Sequence, residues 1–181
     1  MAGKNKVSVI IPVFKVRDFV ERCAVSLFEQ TLKEVEYIFV NDASPDDSIE
    51  VLKSCIERYP ERQARTTILT HEHNQGLPAA RNTGLAAASG EYVFHCDSDD
   101  YVERDMLEEM YEAAKAKDAD MAYCDFYLTF GKNERYMSNP SYGTAEDMLK
   151  SGLLGGNMKY NVWNKLVKRS LYADNDIWVP S

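Results

Sequence analysis

The sequence predicts an α/β fold: a mostly parallel sheet with helices on both faces. Three observations predict it. Strand-sized apolar runs alternate with amphipathic helical stretches from Val7 to about Phe130, the pattern of strands joined by helical crossovers. The first run, Val7 to Val13, is almost continuously apolar, as in a strand covered on both faces. Carboxylates then gather where predicted strands end, and in such sheets ligands sit at the carboxyl ends of the strands, near the topological switch point.

The elements follow in order. Asp18 to Gln30 repeats apolar residues at helical spacing through Val20, Cys23 or Ala24, and Leu27. Val35 to Val40 is a second strand, running into Asn41-Asp42. Ser44-Pro45-Asp46-Asp47 reads as a helix start, with Ser44 as the cap and Pro45 in the first turn. Ile49, Leu52, Ile56 and Tyr59 mark that helix's buried face. Thr66 to Thr70 is a third strand, and Leu77 to Ser89 a small-residue helix stopped by Gly90. Glu91 to Cys96 is a fourth strand, and Glu103 to Lys117 a helix with Met106, Met110 and Ala114 inward. Ala119 to Phe130 is expected as one long strand, Thr144 to Leu153 as a short helix, and Val162 to Tyr172 as a last helix.

Composition narrows the function. The 181 residues carry a formal net charge of -8, which argues against nucleic acid as a partner, because that needs a basic footprint. No apolar run reaches membrane-spanning length, and the polar start Met1-Ala2-Gly3-Lys4-Asn5-Lys6 is unlike a signal peptide. Cys23, Cys55, Cys96 and Cys124 are widely spaced and form no CxxC. They read as reduced, buried thiols in a cytosolic chain.

Asp42 ends the second strand and Asp97-Ser98-Asp99-Asp100 the fourth. Clustered carboxylates repel and lose hydration, so they persist cheaply only beside a cation or hydrogen-bond donors. Mg²⁺ and Mn²⁺ prefer such oxygen ligands, typically one or two carboxylates plus substrate phosphates. In an extended segment Asp97 and Asp99 face one pocket while Ser98 and Asp100 turn away. His71, His73 and His95 lie near adjacent strand ends, but no fourth ligand stands beside them, so zinc is disfavoured.

Six segments in order carry a resemblance: residues 7–14 (VSVIIPVF), 40–44 (VNDAS), 74–77 (NQGL), 80–84 (ARNTG), 90–92 (GEY) and 97–100 (DSDD). Together they resemble glycosyltransferase family 2, inverting enzymes with the Rossmann-like GT-A fold. Asn161 to Leu166 extends the likeness toward bacterial members that build surface polysaccharides. The resemblance implies a metal-dependent transferase that moves a sugar from a nucleotide diphosphate donor, by preference UDP-linked, to a saccharide or lipid-linked saccharide. It implies work in the cytoplasm, with peripheral association at the inner face of the membrane left open. It places Pro12 and Phe14 beside the base, Asp42 on the uracil ring, Arg81 near base or pyrophosphate, and Asp97 and Ser98 in the nucleotide-sugar contact. Asp99, with Asp100 second, becomes the ligand of Mn²⁺ or Mg²⁺. Phe14 stands where tyrosine is commoner, keeping the stacking surface without the hydroxyl. Lys15 stands where asparagine is usual.

The same resemblance divides the chain into a nucleotide-sugar-binding core, 1–130, and the start of an acceptor-side region, 131–181. It puts the catalytic base, an acid downstream of the Trp163-Asn164-Lys165 segment, beyond Ser181, so that the chain is expected to be truncated before it. Glu146-Asp147 has the letters of the family's acidic pair but reads as a helix-capping pair. Trp163 is expected to pack, and the role of Lys165 stays open. Two other readings compete. One is a sugar-nucleotide-binding module without turnover. The other is a nucleotidyltransferase, disfavoured because residues 14–18 hold no glycine for a phosphate loop; the absence of GxGxxG likewise disfavours a dinucleotide-dependent oxidoreductase.

Overall fold

The structure, a computed structural model, describes residues 4–180. Eight strands are β1 (Val7–Val13), β2 (Val35–Asn41), β3 (Thr66–Thr70), β4 (Tyr92–His95), β5 (Met121–Tyr123), β6 (Phe126–Phe130), β7 (Asn133–Met137) and β8 (Lys165–Lys168). The helices are α1 (Val20–Phe28), α2 (Ser48–Glu57), α3 (Pro60–Gln63), α4 (Leu77–Ala87), α5 (Met106–Ala116), α6 (Ala145–Asp147, widening into a π-helical stretch Met148–Leu154) and α7 (Arg169–Asp174).

Six strands form one sheet in the order β3-β2-β1-β4-β8-β5. β1 to β4 are mutually parallel, and β8 alone runs against its neighbours β4 and β5. The apolar runs explain the centre. All seven residues of β1 are buried, because odd positions and even positions meet different helices. Val7, Val9, Ile11 and Val13 share one core with α1, α2 and α5. Ile10, Ile38, Val40 and Val93 form the other with Ala80 and Leu85 of α4, closed by Tyr172 of α7. α4 lies very close to the sheet: a Cβ on Gly84 would stand 2.3 Å from the Ile10 side chain.

Three expectations need correction. Residues 162–172 are not one helix: Lys165–Lys168 enters the sheet as β8, and only Arg169–Asp174 is helical. Leu166 is fully buried between β4 and β5, and that burial overrides the helical spacing. The long strand at 119–130 breaks at Cys124-Asp125. Its first part pairs with β8, and its second leaves to form a separate hairpin with β7. Ser44 does not cap α2, which begins only at Ser48. The Ser44 hydroxyl instead donates to Asp46 and accepts the Lys15 amide at 2.8 Å, tying the β1 exit to the β2 exit. The capping reading of Glu146-Asp147 holds: Thr144 Oγ1 accepts the Asp147 amide at 3.1 Å.

Candidate active site

From β1 the chain moves outward to β2 and β3, then returns to place β4 on the other side of β1. The strand order therefore reverses between β1 and β4, and the crevice at their carboxyl ends is the place for a ligand. Three segments rim it: Pro12 to Phe14 at the end of β1, Asn41-Asp42 at the end of β2, and Asp97 to Asp100 after β4.

Pro12 is buried in β1 opposite Val40. The Ile10 carbonyl accepts the Cys96 amide at 3.0 Å, the last bond from β1 toward β4. Pro12, one repeat further, points past the end of β4, so its missing N–H costs the ladder nothing. Phe14 then turns outward, 38 % exposed, with the Lys15 ammonium 5.2 Å from its ring centre.

Asp42 is almost wholly buried and turned inward. Its Oδ1 meets His71 Nδ1 at 2.7 Å and accepts the Gln75 amide at 2.8 Å, while Oδ2 accepts the Gly76 amide at 2.8 Å. Burial works against its charge, but the Gln75 amide, the His71 ring and the Gly76 amide outweigh burial and hold its pKa below the ordinary carboxylate value. Gly76 meets Asp42 with φ at +89°, a backbone conformation that favours glycine. Asp42 thus fixes the loop that opens α4. Both nitrogens of His71 are engaged, the second with Thr83 Oγ1 at 2.9 Å. Among the described residues no three His, Cys, Asp or Glu side chains converge as a metal cage.

Arg81 reaches from α4 to Asp97, Nη2 to Oδ1 at 2.6 Å, with both side chains mostly buried. Below this pair lies His95. Burial first, then the Arg81 charge, pushes its pKa down to about 4, so it is neutral near pH 7. Neither of its ring nitrogens, nor Arg81 Nε, has a hydrogen-bond partner among the described residues.

The segment after β4 is a turn rather than an extended run: the Asp100 amide donates to the Asp97 carbonyl at 3.0 Å. The expected alternation is therefore replaced. Asp97 goes to Arg81, Ser98 is buried, and Asp99 and Asp100 both line a cleft of about 660 Å³ shared with the β6–β7 hairpin. The thiols of Cys96 and Cys23 lie 3.6 and 3.7 Å from the Asp97 carbonyl, and Arg22 Nη2 donates to the Asp99 carbonyl at 3.2 Å, so the turn is held by its backbone. Burial, then repulsion from Asp99 and Asp97, raises Asp100 to a pKa of about 6. The nearby Arg22 charge offsets this only in part, and a hard divalent ion held by one or two carboxylates fits such a site.

Sequence reasoning had no signal for Arg22, a surface residue of α1 whose guanidinium stacks 4.3 Å from the Tyr101 ring. It also passed over Tyr127 and Tyr136, exposed partners 5.3 Å apart on the hairpin. Trp163 packs, edge to face, 4.7 Å from Phe126. Lys165 is a structural pin, its ammonium donating to the carbonyls of Lys159 and Asn161. The base expected beyond Ser181 lies outside the described residues.

The sequence model of the family described as Glycosyl transferase family 2 matches residues 8–175. The chain is 36% identical over 174 residues to EpsJ of Bacillus subtilis (strain 168), named an uncharacterized glycosyltransferase, covering 92% of this chain and 48% of that protein. Among solved structures it is similar to S. aureus TarS 1-349 in complex with UDP, with a TM-score of 0.78 at 24% identity over 97% of this chain and 50% of that one. It is also similar to the mannosyltransferase PcManGT from Pyrobaculum calidifontis in complex with GDP-Man and Mn2+, with a TM-score of 0.61 at 24% identity over 67% of this chain and 36% of that one. The chain spans about half the length of the curated relatives it matches. No helix among the described residues is long and apolar enough to cross a membrane.

Proposed function

The chain belongs to glycosyl transferase family 2, and from that premise we propose that it binds a uridine-diphosphate sugar in the crevice between β1 and β4 and donates the sugar to a saccharide or lipid-linked saccharide. The observation that carries the reading is the turn Asp97 to Asp100: four residues at the switch point, anchored through backbone and Arg81, with Asp99 and Asp100 left facing the cleft. The two solved structures above share the fold, one of TarS in complex with UDP and one of PcManGT in complex with GDP-Man and Mn2+.

Each residue has a task in this reading. The exposed Phe14 ring offers a face for the base. Asp42 orders the Gln75-Gly76 loop beside it. Arg81 holds Asp97 in place toward the ribose and gives the crevice a fixed positive charge near the phosphates. Asp99, with Asp100, would hold Mn²⁺ or Mg²⁺, which when bound neutralises charge on the departing diphosphate. With the donor held on this face, the acceptor oxygen attacks the anomeric carbon from the opposite face, its proton passes to a carboxylate base, the bond to the diphosphate breaks, and the anomeric configuration inverts.

Calorimetry tests the reading. UDP binds in the presence of Mn²⁺, and EDTA weakens that binding by about tenfold or more, roughly 1.4 kcal/mol. Equal affinity in EDTA takes the metal out of the reading, and absence of UDP binding under both conditions overturns it.

A further inference from the structure

The β6–β7 hairpin forms one wall of the cleft beside Asp99 and Asp100. Its antiparallel register sets Tyr127 opposite Tyr136 and Thr129 opposite Glu134, and directly opposed residues share a face. These four side chains, with Phe126 and Leu128, line the cleft that Asp99 and Asp100 close from the other side, whereas Arg135 and Lys132 do not line it. Tyr127 and Tyr136 are each 56% exposed, although they lie in a cleft and form a pair of rings 5.3 Å apart. Tyr101 stands across from them, its hydroxyl 3.5 Å from Glu134 Oε1, and the Tyr136 hydroxyl donates to Asp125. Carboxylates thus meet the hydroxyls of Tyr101 and Tyr136, and the Tyr127 and Tyr136 rings stay largely exposed.

The charge of this cleft is lopsided. Its walls include seven Asp and Glu side chains and one basic side chain, Arg22, whose guanidinium is already stacked on Tyr101. A metal with the donor diphosphate brings nearly balanced charges, so the outer walls stay acidic. Walls of one sign, separated by low-dielectric protein, concentrate their field. Such a surface repels phosphate- or carboxylate-bearing polymers. Bare aromatic faces beside many acceptor oxygens suit the opposite ligand: a ring with an apolar C–H face and a rim of neutral hydroxyl donors.

We propose that this cleft is the acceptor site and selects an uncharged saccharide, which stacks on Tyr127 and Tyr136 with its hydroxyls toward Glu134 and Asp125. The proposal rests on the transferase reading above, and it adds the class of acceptor and the residues that choose it.

The test is a glycan array carrying neutral, uronic-acid-bearing and phosphate-bearing oligosaccharides, probed with the full chain in the presence of UDP and Mn²⁺. The comparison protein is the double variant Tyr127→Phe/Tyr136→Phe alongside Tyr127→Ala/Tyr136→Ala, each verified for fold by circular dichroism and for UDP binding by calorimetry. Neutral glycans are retained about tenfold more strongly than anionic ones at low salt, and the gap narrows at roughly 0.5 M salt as screening sets in. The alanine pair loses about tenfold in neutral-glycan binding, and the phenylalanine pair keeps most of it. Anionic glycans retained as well as neutral ones, unaltered retention by the alanine pair, or no retention of any glycan overturns the proposal. UDP binding that survives any of these results leaves the donor reading standing. Loss of UDP binding with neutral-glycan selection intact sinks the donor reading instead.

Discussion

Asp42 and Asp99 look alike in sequence, yet the structure gives them opposite surroundings. Asp42 is buried with both oxygens occupied by His71 and the amides of Gln75 and Gly76, whereas Asp99 is exposed at the cleft and only its backbone is tied, to Arg22. A neutral amide at position 42 would bring an NH₂ group against N–H donors, so Asp42→Asn disorders the loop that opens α4. It lowers UDP affinity about tenfold or more and leaves the Mn²⁺ enhancement in place. Asp99→Asn keeps its backbone contact but gives up the anionic oxygen, so it abolishes the Mn²⁺ enhancement and leaves metal-free UDP binding unchanged. Calorimetry of both variants with and without EDTA checks this dissociation, and identical profiles would show that the two acids do not divide the work. The positions of these acids were legible in the sequence, because carboxylates at strand ends are conspicuous. Which of them points inward was not, since that depends on the amides of residues 75 and 76, which reach Asp42 only through the third strand and the loop after it. Arg62 was equally illegible: nothing in residues 60–63 announces a side chain that folds back across 30 positions of chain.

That arginine acts at the scale of elements. Arg62, in α3, is fully buried and donates Nε to the Phe28 carbonyl, Nη2 to that of Gln30, and Nη1 to those of Leu32 and Lys33, at 2.6 to 3.3 Å. These carbonyls include the open C-terminal end of α1, where a cation is favourable, and the guanidinium lies 5.9 Å from the Tyr37 ring. Arg62→Ala leaves several buried acceptors unpaired and lowers stability by roughly 3 kcal/mol, and Arg62→Lys recovers only part of it, because an ammonium lacks the fork. Urea unfolding reads this as a lower midpoint with the slope preserved; a shift under about 1 kcal/mol would mean that water replaces the guanidinium readily. Elements built from local pattern were legible in the same way as the acids: β1, β2, α1 and α5 follow apolar spacing, and α4 follows its small residues and the glycine that stops it. β8 was not. Val162 to Tyr172 has helical spacing, but Leu166 fills a gap between β4 and β5 that only the assembled sheet creates. The split at Cys124-Asp125 has a similar cause: the Cys124 amide bonds to the Asn164 carbonyl, 40 residues away, and that bond ends β5 before the hairpin begins.

At the scale of the whole molecule, the sheet joins two kinds of construction. On one side β1, β2 and β3 are stitched by crossover helices; on the other, β8 is inserted against the grain and brings α7 over the second core. His95 sits where the two meet, on the last residue of β4, with the Tyr172 ring of α7 6.4 Å away and Arg81 of α4 as the charged neighbour. Its folded pKa is about 4, against 6.5 for an ordinary histidine. Between those values the unfolded chain binds a proton that the folded chain refuses, so this contribution to stability is whole above pH 6.5 and is lost as the pH falls toward 4. The size is about 3 kcal/mol at one pKa unit per 1.36 kcal/mol. Asp46 works in a separate window. Burial opposes its charge, but the hydroxyls of Ser44 and Ser48 and the amides of Ser48 and Arg17 hold it at about 2. Its contribution is therefore whole above its ordinary 3.8 and declines only below that. The two are separable by urea unfolding at a series of pH values between 7 and 4. His95 draws the parent's stability down across that range, while Asp100, raised from 3.8 to about 6, acts with the opposite sign, so the measure is the difference between parent and variant. His95→Phe, which keeps a ring against Tyr172 and has nothing to titrate, loses about 3 kcal/mol less over the same interval. If parent and variant decline in parallel, His95 is protonated in the folded protein as easily as in the unfolded chain, and the junction between the two halves of the sheet is open to water.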